Sequence, residues 1–444
     1  MAKRKRLPTE PFEADVVDLT HDGRGVARIE GKAVFIDGAL PGEKVRFQYT
    51  GKRRQHDEGK VLEIVQPSED RVEPKCEHAN ICGGCSLQHL SAEAQIKLKQ
   101  SQMLENIRRI GHVEPESVAE AITGPAWGYR RRARLSVRHV FKKGRTLVGF
   151  REKRNSYVAD IQSCKVMIPE VGERLTDLSE LIQSFSIADR VAQIEVSQGY
   201  HPTQEVALVL TFRNLEPFSS EDLEKLAAFG EKFGFDVYQQ PGGLASIAAV
   251  YLSGKELIYS VDDYDVSFHF KPNDFTQVNA DINQSMVKRA LNWLDPQAGD
   301  KILELFCGLG NFTLPIATTG ADVVGVEGDA ELIQRAQDNA QANGVSNCSF
   351  SQADLSKELK GQAWFKGSYN KLLLDPPRSG AKEVIEQLAD SKFDRIVYVS
   401  CNPATLARDA GTLVNEQGYR LVSVGVMDMF PHTAHVESIA LFER

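Results

Sequence analysis

No stretch of this 444-residue chain stays apolar for the roughly 18 residues that crossing a bilayer requires, which argues against a membrane-spanning helix. The apolar stretch of a secretory signal is missing as well: the basic start, MAKRKR, runs directly into Pro8, Thr9 and Glu10. Cysteine is sparse. Seven residues over the whole length, an odd number, do not make a disulfide framework and leave reduced thiols, metal ligation or catalysis. These absences predict a cytosolic (cytoplasmic) protein with no membrane partner. Internal repeats and long low-complexity stretches are also lacking, so neither a solenoid nor a disordered chain is expected. With 42% hydrophobic and 26% charged residues the composition is globular, and the length predicts two or three domains.

A net charge of −8 shows no overall basic excess, but the charge is unevenly divided. Residues 1–154 hold 30 Lys and Arg against 21 Asp and Glu, whereas the remainder holds 23 against 40. The densest part, from Arg130 to Arg154, carries eleven basic residues and one acid, Glu152, interleaved with His139, Phe141 and Phe150 and flanked by Tyr129 and Tyr157. Cations mixed with aromatics suit phosphate contact and base stacking, and Arg130, Arg131 and Arg132 at its head are candidate substrate contacts. A solvated strand face is the alternative.

Along the chain, residues 1–75 read as five short strands broken by Asp22-Gly23, Glu30-Gly31 and Pro41-Gly42, the pattern of a small OB-like β-barrel. A cysteine-rich loop and a polar helical run from Ser91 to Ile110 open a central α/β section, 76–262. From 263 to 444 the pattern changes. Ile282, Met286, Val287, Ala290, Leu291 and Leu294 share one helical face, with Asp281 able to cap it, and strands then alternate with helices as in a doubly wound, Rossmann-like sheet. The fold class is multidomain α/β.

Two kinds of signal lie at the expected strand ends. Ile302–Phe306 runs into Cys307-Gly308-Leu309-Gly310-Asn311, a turn that lets backbone approach a ligand. Glu327, 17 residues past Gly310 at the end of the next strand, can accept the two hydroxyls of a ribose, and Asp354 follows the third strand where adenine would lie. The third glycine of a pyrophosphate fingerprint is absent, which favours an adenosine cofactor such as S-adenosylmethionine over a dinucleotide. The second signal is the pair Asp375-Pro376-Pro377-Arg378 and Ser400-Cys401-Asn402-Pro403. The prolines remove backbone donors and aim Asp375 into the crevice. Arg378, where amino-group methyltransferases usually have an aromatic, disfavours a nitrogen target. Cys401 is the expected nucleophile: thiolate addition to carbon 6 of a uracil makes carbon 5 electron-rich enough to take a methyl group. Glu437, in His435-Val436-Glu437-Ser438, is the candidate base that then removes the carbon 5 proton. His432 and His435 are expected to be hydrogen-bonding partners rather than metal ligands.

Cys76, Cys82 and Cys85, with Cys164 farther along, offer four thiolates; spacing alone leaves zinc and a four-iron cluster both open. His78 and His89 nearby are expected at the surface. Cys307 and Cys348 receive no function.

Taken in order, the barrel, Cys76-x5-Cys82-Gly83-Gly84-Cys85, Phe275-Thr276-Gln277-Val278-Asn279, LELFCGLGNFTL, LLLDPPR, VSCNP and HVES resemble the RNA uracil-5-methyltransferases over essentially the full length. The likeness is strongest to members that act on 23S ribosomal RNA and carry an iron–sulfur cluster. That resemblance implies an N-terminal TRAM domain, a central domain with a 4Fe-4S cluster on Cys76, Cys82, Cys85 and Cys164, and a class I methyltransferase domain. Gln277, Phe306, Asn311, Glu327, Asp354 and Asp375 are implied contacts to S-adenosylmethionine. Phe275 is implied to stack on a uracil flipped from its strand. Cytosine-5 relatives carry a cysteine in the DPP motif; its absence here favours uracil. The partner expected is 23S ribosomal RNA, and the chain is expected to be a monomer. A transfer-RNA enzyme is disfavoured on the ground that such relatives lack barrel and cysteines, and a non-catalytic RNA-binding protein on the ground that Glu327, Asp375, Cys401 and Glu437 are all present.

Overall fold

The computed structural model describes residues 7–444; the basic segment 1–6 lies outside them. Strands β1 (Phe12–Leu19), β2 (Gly25–Ile29), β3 (Lys32–Asp37), β4 (Lys44–Lys52) and β5 (His56–Gln66) close into a barrel in the order β1-β2-β3-β5-β4. Alternation drives it: in β4, Val45, Phe47 and Tyr49 point inward while Arg46 and Gln48 point out, joining Val16, Ala27, Val34 and Ile36 in a small core.

Helix α1 (Ala92–Asn106), capped by the Ser91 hydroxyl, continues through a wide turn to Gly111. Its buried residues are Ala94, Gln95, Lys99 and Met103, so the stripe at four-residue spacing that faces inward is largely polar. Beyond it come β6 (Ser117–Val118), β7 (Arg132–Val140), β8 (Arg145–Gly149), α2 (Pro169–Gly172), α3 (Leu175–Gln183), β9 (Val191–Gln198), β10 (Leu208–Asn214), α4 (Ser220–Phe233), β11 (Asp236–Gln239) and β12 (Ala248–Tyr251). Six of these form the central sheet, in the order β12-β11-β10-β9-β7-β8, over a core containing Leu135, Ile194, Leu210 and Phe212.

The C-terminal part begins with the hairpin β13 (Ile258–Val261) and β14 (Val266–His269), followed by α5 (Ala280–Leu294). The predicted apolar face of α5 is buried, but its cap is Asn279, whose side chain accepts from the Ile282 amide, rather than Asp281. The alternating run is β15 (Lys301–Leu305), α6 (Thr313–Thr318), β16 (Asp322–Glu327), α7 (Ala330–Ala342), β17 (Cys348–Gln352), β18 (Lys371–Leu374), α8 (Lys382–Gln387), β19 (Arg395–Ser400), α9 (Pro403–Gly411), β20 (Arg420–Met427) and β21 (Glu437–Glu443). Strand order is β17-β16-β15-β18-β19-β21-β20-β6, parallel from β17 to β19 and closed by the antiparallel β20–β21 pair.

The chain crosses the division expected near residue 262. β6 adds to β20, Met103, Ile107 and Val113 join the core of the C-terminal sheet, and Val261 packs with α5. The segment from α1 to β6, though early in sequence, is therefore part of the C-terminal layer. Among the described residues no helix is long and apolar enough to cross a membrane.

Candidate active site and cysteine pocket

Because β15, β16, β18 and β19 run parallel in register, Leu305, Glu327, Leu374 and Ser400 end along one edge, and the antiparallel β21 begins there with Glu437. This is the carboxyl edge at which a doubly wound sheet builds its site. In the first turn Phe306 adopts a left-handed backbone, φ 65°, with its amide on Val326 O at 2.8 Å. A left-handed non-glycine residue stores strain and marks a constrained position. Gly308 (φ 55°) has open space where a side chain would stand, leaving its backbone clear for a ligand. Its N–H donates to Glu327 Oε2 at 3.1 Å, and the Gly328 amide donates to Oε1 at 2.7 Å, so the turns after β15 and β16 together fix this carboxylate. Phe306, Glu327, Asp354 and Pro377 line one pocket. Hydrogen bonds from the Ser356 hydroxyl, and then the Lys357 ammonium group, hold Asp354 down at about 2.

Asn311, an expected cofactor contact, is hydrogen-bonded within the protein. It exchanges reciprocal amide hydrogen bonds with Asn283 of α5 (3.0 and 3.2 Å) and accepts from the Tyr259 hydroxyl at 3.1 Å. Gln277 lies beside the same group, lining a recess with Tyr259 and Asn283. Sequence reading missed Asn283 and Tyr259; a polar residue within the apolar stripe of α5 was the signal available. It missed Glu304 too, fully buried with one oxygen on the Thr313 hydroxyl at 2.5 Å and raised by burial to about 8.

At the other end of the edge, Ser400 pairs with Ser438, so the next residues along, Cys401 and Glu437, emerge side by side. Cys401 precedes α9, whose first turn is capped by the Asn402 side chain on the Ala404 amide (3.1 Å) with Pro403 next. The positive end of that helix favours a thiolate. Burial, and then the Glu437 and Asp375 carboxylates, raise the thiol to about 11 while Arg378 opposes them. Burial and Asp375 likewise raise Glu437 to about 8, against Arg378 and Lys99. Burial alone raises Asp375 to about 7. Three acids, Cys401, Glu437 and Asp375, thus lie near one another, with Arg378 and Lys99 opposing their shifts. Cys401, Arg378 and His435 line a cleft of about 820 Å³ whose far walls are His21 and Asp22 of the barrel and Gln102 and Arg109 beyond.

The basic head of β7 does not form one surface. Arg130 lies 5.5 Å over the Phe150 ring at the cysteine pocket, Arg131 donates to Gln198 at 2.6 Å in the recess that both share with Gln277, and Arg132 approaches Phe275 at 6.0 Å. Phe275 itself is 65% exposed. Cys76, Cys82, Cys85 and Cys164 line one pocket with His78, Gln88 and Phe150. His78 and His89, expected at the surface, are buried. Among the described residues no three His, Cys, Asp or Glu side chains are placed to hold a single metal ion.

Residues 92–444 match the tRNA (Uracil-5-)-methyltransferase family, and 5–61 match the TRAM domain. The chain belongs to the uracil-5-methyltransferase family. Among its relatives are the 23S rRNA (uracil(1939)-C(5))-methyltransferases RlmD of Alkalilimnicola ehrlichii and Methylococcus capsulatus, each 52% identical over 100% of this chain and 98% and 99% of theirs. A solved uracil-5-methyltransferase, the tRNA (uracil-54, C5)-methyltransferase of Pyrococcus abyssi in complex with S-adenosyl-L-homocysteine, superposes with a TM-score of 0.73 at 25% identity, covering 97% of this chain and 99% of that one. Such coverage removes the barrel as a ground for setting transfer-RNA enzymes apart, because that enzyme spans the same length. The family's methyltransferase fold and N-terminal TRAM barrel are both present.

Proposed function

We propose that this chain transfers a methyl group from S-adenosylmethionine to carbon 5 of a uridine in 23S ribosomal RNA. The carrying observation is that Cys401 lines a cleft walled on its far side by the TRAM barrel and emerges beside Glu437 from adjacent strands, with Asp375 near enough to act on its thiol. The identity of 52% to ribosomal-RNA enzymes, against 25% to the transfer-RNA enzyme, supports the choice of RNA.

The chemistry divides among named residues. Cys401 thiolate forms a C–S bond to carbon 6 of the ring, and the displaced electron pair makes carbon 5 nucleophilic. Carbon 5 takes the methyl group that the bound sulfonium would supply, the electron pair of the broken C–S bond staying on sulfur as a neutral thioether. Glu437 carboxylate then removes the carbon 5 proton, the 5,6 double bond re-forms, and the thiolate leaves. Phe275 stacks on the flipped base. Glu327 holds the ribose, Phe306 and Asp354 the adenine side, and Gln277, Asn311 and Asp375 the methionine side. Arg132 beside Phe275 supports the strand, whereas Arg130 serves at the cysteine pocket and Arg131 in the recess beside Gln277.

Cys76, Cys82, Cys85 and Cys164 would hold a 4Fe-4S cluster. The four cysteines line one pocket, the number of thiolates that such a cluster takes. Burial raises Cys82 to about 11 and Cys85 to about 12 as thiols, and ligation by iron supplies the positive charge that stabilises them as thiolates. The role is structural, tying the loop after the barrel to the segment after β8, and such a site points to a reducing, cytoplasmic compartment. Incubation with radiolabelled S-adenosylmethionine and separated ribosomal and transfer RNAs tests the substrate: label in 23S RNA alone is expected, and label in transfer RNA alone overturns it.

A further inference from the structure

The connection between β20 and β21, residues 428–436, leads directly into Glu437, yet most of its holding bonds come from outside its own sheet. Lys99 on α1, 1% exposed, donates from Nζ to Asp428 Oδ1 at 2.6 Å and to the Phe430 carbonyl at 3.1 Å. One turn earlier Gln95 accepts from the His432 amide at 2.8 Å through Oε1. Its amide nitrogen donates to the Leu87 and Leu90 carbonyls at 3.1 and 2.8 Å. The Leu87 amide donates to the His432 carbonyl at 2.9 Å, and the Ala434 amide to the Ser86 hydroxyl at 3.1 Å. His432 sits at φ 66°, so the loop is held in a strained backbone by these contacts.

A buried lysine on the inward stripe of a helix, where leucine would pack, has no ready explanation in stability, since replacing a buried ion pair by apolar groups is often neutral. Its location explains more. Lys99 Nζ reaches the 428–436 loop, and its charge also acts on Glu437.

We propose that Lys99 is a positioning residue for the proton-abstraction step: by pinning the 428–436 loop through Asp428 and Phe430 it seats the Glu437 carboxylate against carbon 5 of the Cys401-bound uracil. This rests on the assignment of Glu437 as base. Formation of the C–S bond and methyl transfer need Cys401 and the cofactor but not Glu437; only loss of the carbon 5 proton, with re-formation of the double bond and expulsion of Cys401, does. Displacing Lys99 therefore slows release and spares formation.

The test follows covalent protein–RNA complex on denaturing gels in single turnover, with full-length protein, S-adenosylmethionine and an end-labelled 23S RNA fragment that accepts methyl groups. Lys99→Met is expected to form the adduct within about twofold of the wild-type rate and to release it about tenfold more slowly, the scale of a misplaced catalytic group. Lys99→Arg, which keeps charge and donors, restores release. Parallel loss of formation and release, or no change in either, overturns the proposal. The double variant K99M/D428N removes both charges together and gives the same readout if the single variant fails to fold; failure of both to fold makes the residue structural and also overturns it. Glu437→Gln separates the two levels. If it does not accumulate adduct, the base assignment fails and this inference with it; if it does and Lys99→Met does not, the inference alone fails.

Discussion

Cys401 begins as a neutral thiol, raised to about 11 by burial and by two carboxyls, so activation belongs to the loaded site. The start of α9 and Arg378 already favour the thiolate, and a bound sulfonium adds a positive charge. Cys401→Ala is expected to abolish methyl transfer while leaving RNA affinity within about twofold, since a thiol contributes no phosphate contact; filter binding alongside a methylation assay checks both, and retained turnover excludes the covalent route. Glu437 accepts a proton only when ionised, so release of preformed adduct should climb with pH and level off above about 8. A pH series of adduct decay measures it, and a flat profile contradicts the role. Glu304, Asp375 and Glu437 keep protons in the folded chain that they lose when unfolded, so each raised carboxyl costs stability as pH rises toward about 8. His89 and His432, lowered to about 4, act in the opposite sense only below their ordinary value of 6.5. Between about 6.5 and 8 these groups therefore make stability fall with pH, and Glu304→Gln should flatten that slope in thermal unfolding. The motif cysteine and carboxylates were legible because strand ends are marked by glycine and proline. Asn283, Tyr259 and Glu304 were not, since they look like ordinary positions within regular elements until the partner they face is known.

Element boundaries followed from periodicity: the five barrel strands and the alternating C-terminal run appear much as the spacing predicts. The placement of α1 did not. Its face is polar by composition, and only the structure explains why: Gln95 and Lys99 point inward to the 428–436 loop, while Met103 enters the C-terminal core. Farther along, Gly111 crosses α9 so closely that a methyl group there would lie 2.4 Å from the Ala407 carbonyl. Gly111→Ala is therefore expected to cost about 1–3 kcal/mol, the usual scale of overpacking, and to shift the helix that begins beside Cys401. Denaturant unfolding and cofactor affinity measured together check this; unchanged stability means that the crossing relaxes freely. The basic run leading into β7 shows the limit of composition, because Arg130, Arg131 and Arg132 turn to three different surroundings.

At the scale of the molecule, the cleft at Cys401 continues past Gly83, Gly84 and Ser86 into a second recess bordered by Arg24, Arg151 and Lys153. Barrel, cysteine loop and central sheet thus meet around one entrance. That the segment from α1 to β6 belongs to the C-terminal layer was not legible in the sequence, because the pairing of an early strand with a sheet built much later leaves no local mark. Iron and sulfide analysis after anaerobic purification should give a four-iron stoichiometry with all four cysteines required; stoichiometric zinc contradicts it. The central claim is the bond between Cys401 and the pyrimidine ring. Substituting 5-fluorouridine at the target removes the proton that Glu437 must take, so the purified protein with S-adenosylmethionine should become covalently attached to the RNA, with the attachment mapped to Cys401 by mass spectrometry. Turnover of normal RNA under conditions where the fluorinated RNA forms no such complex would contradict the account.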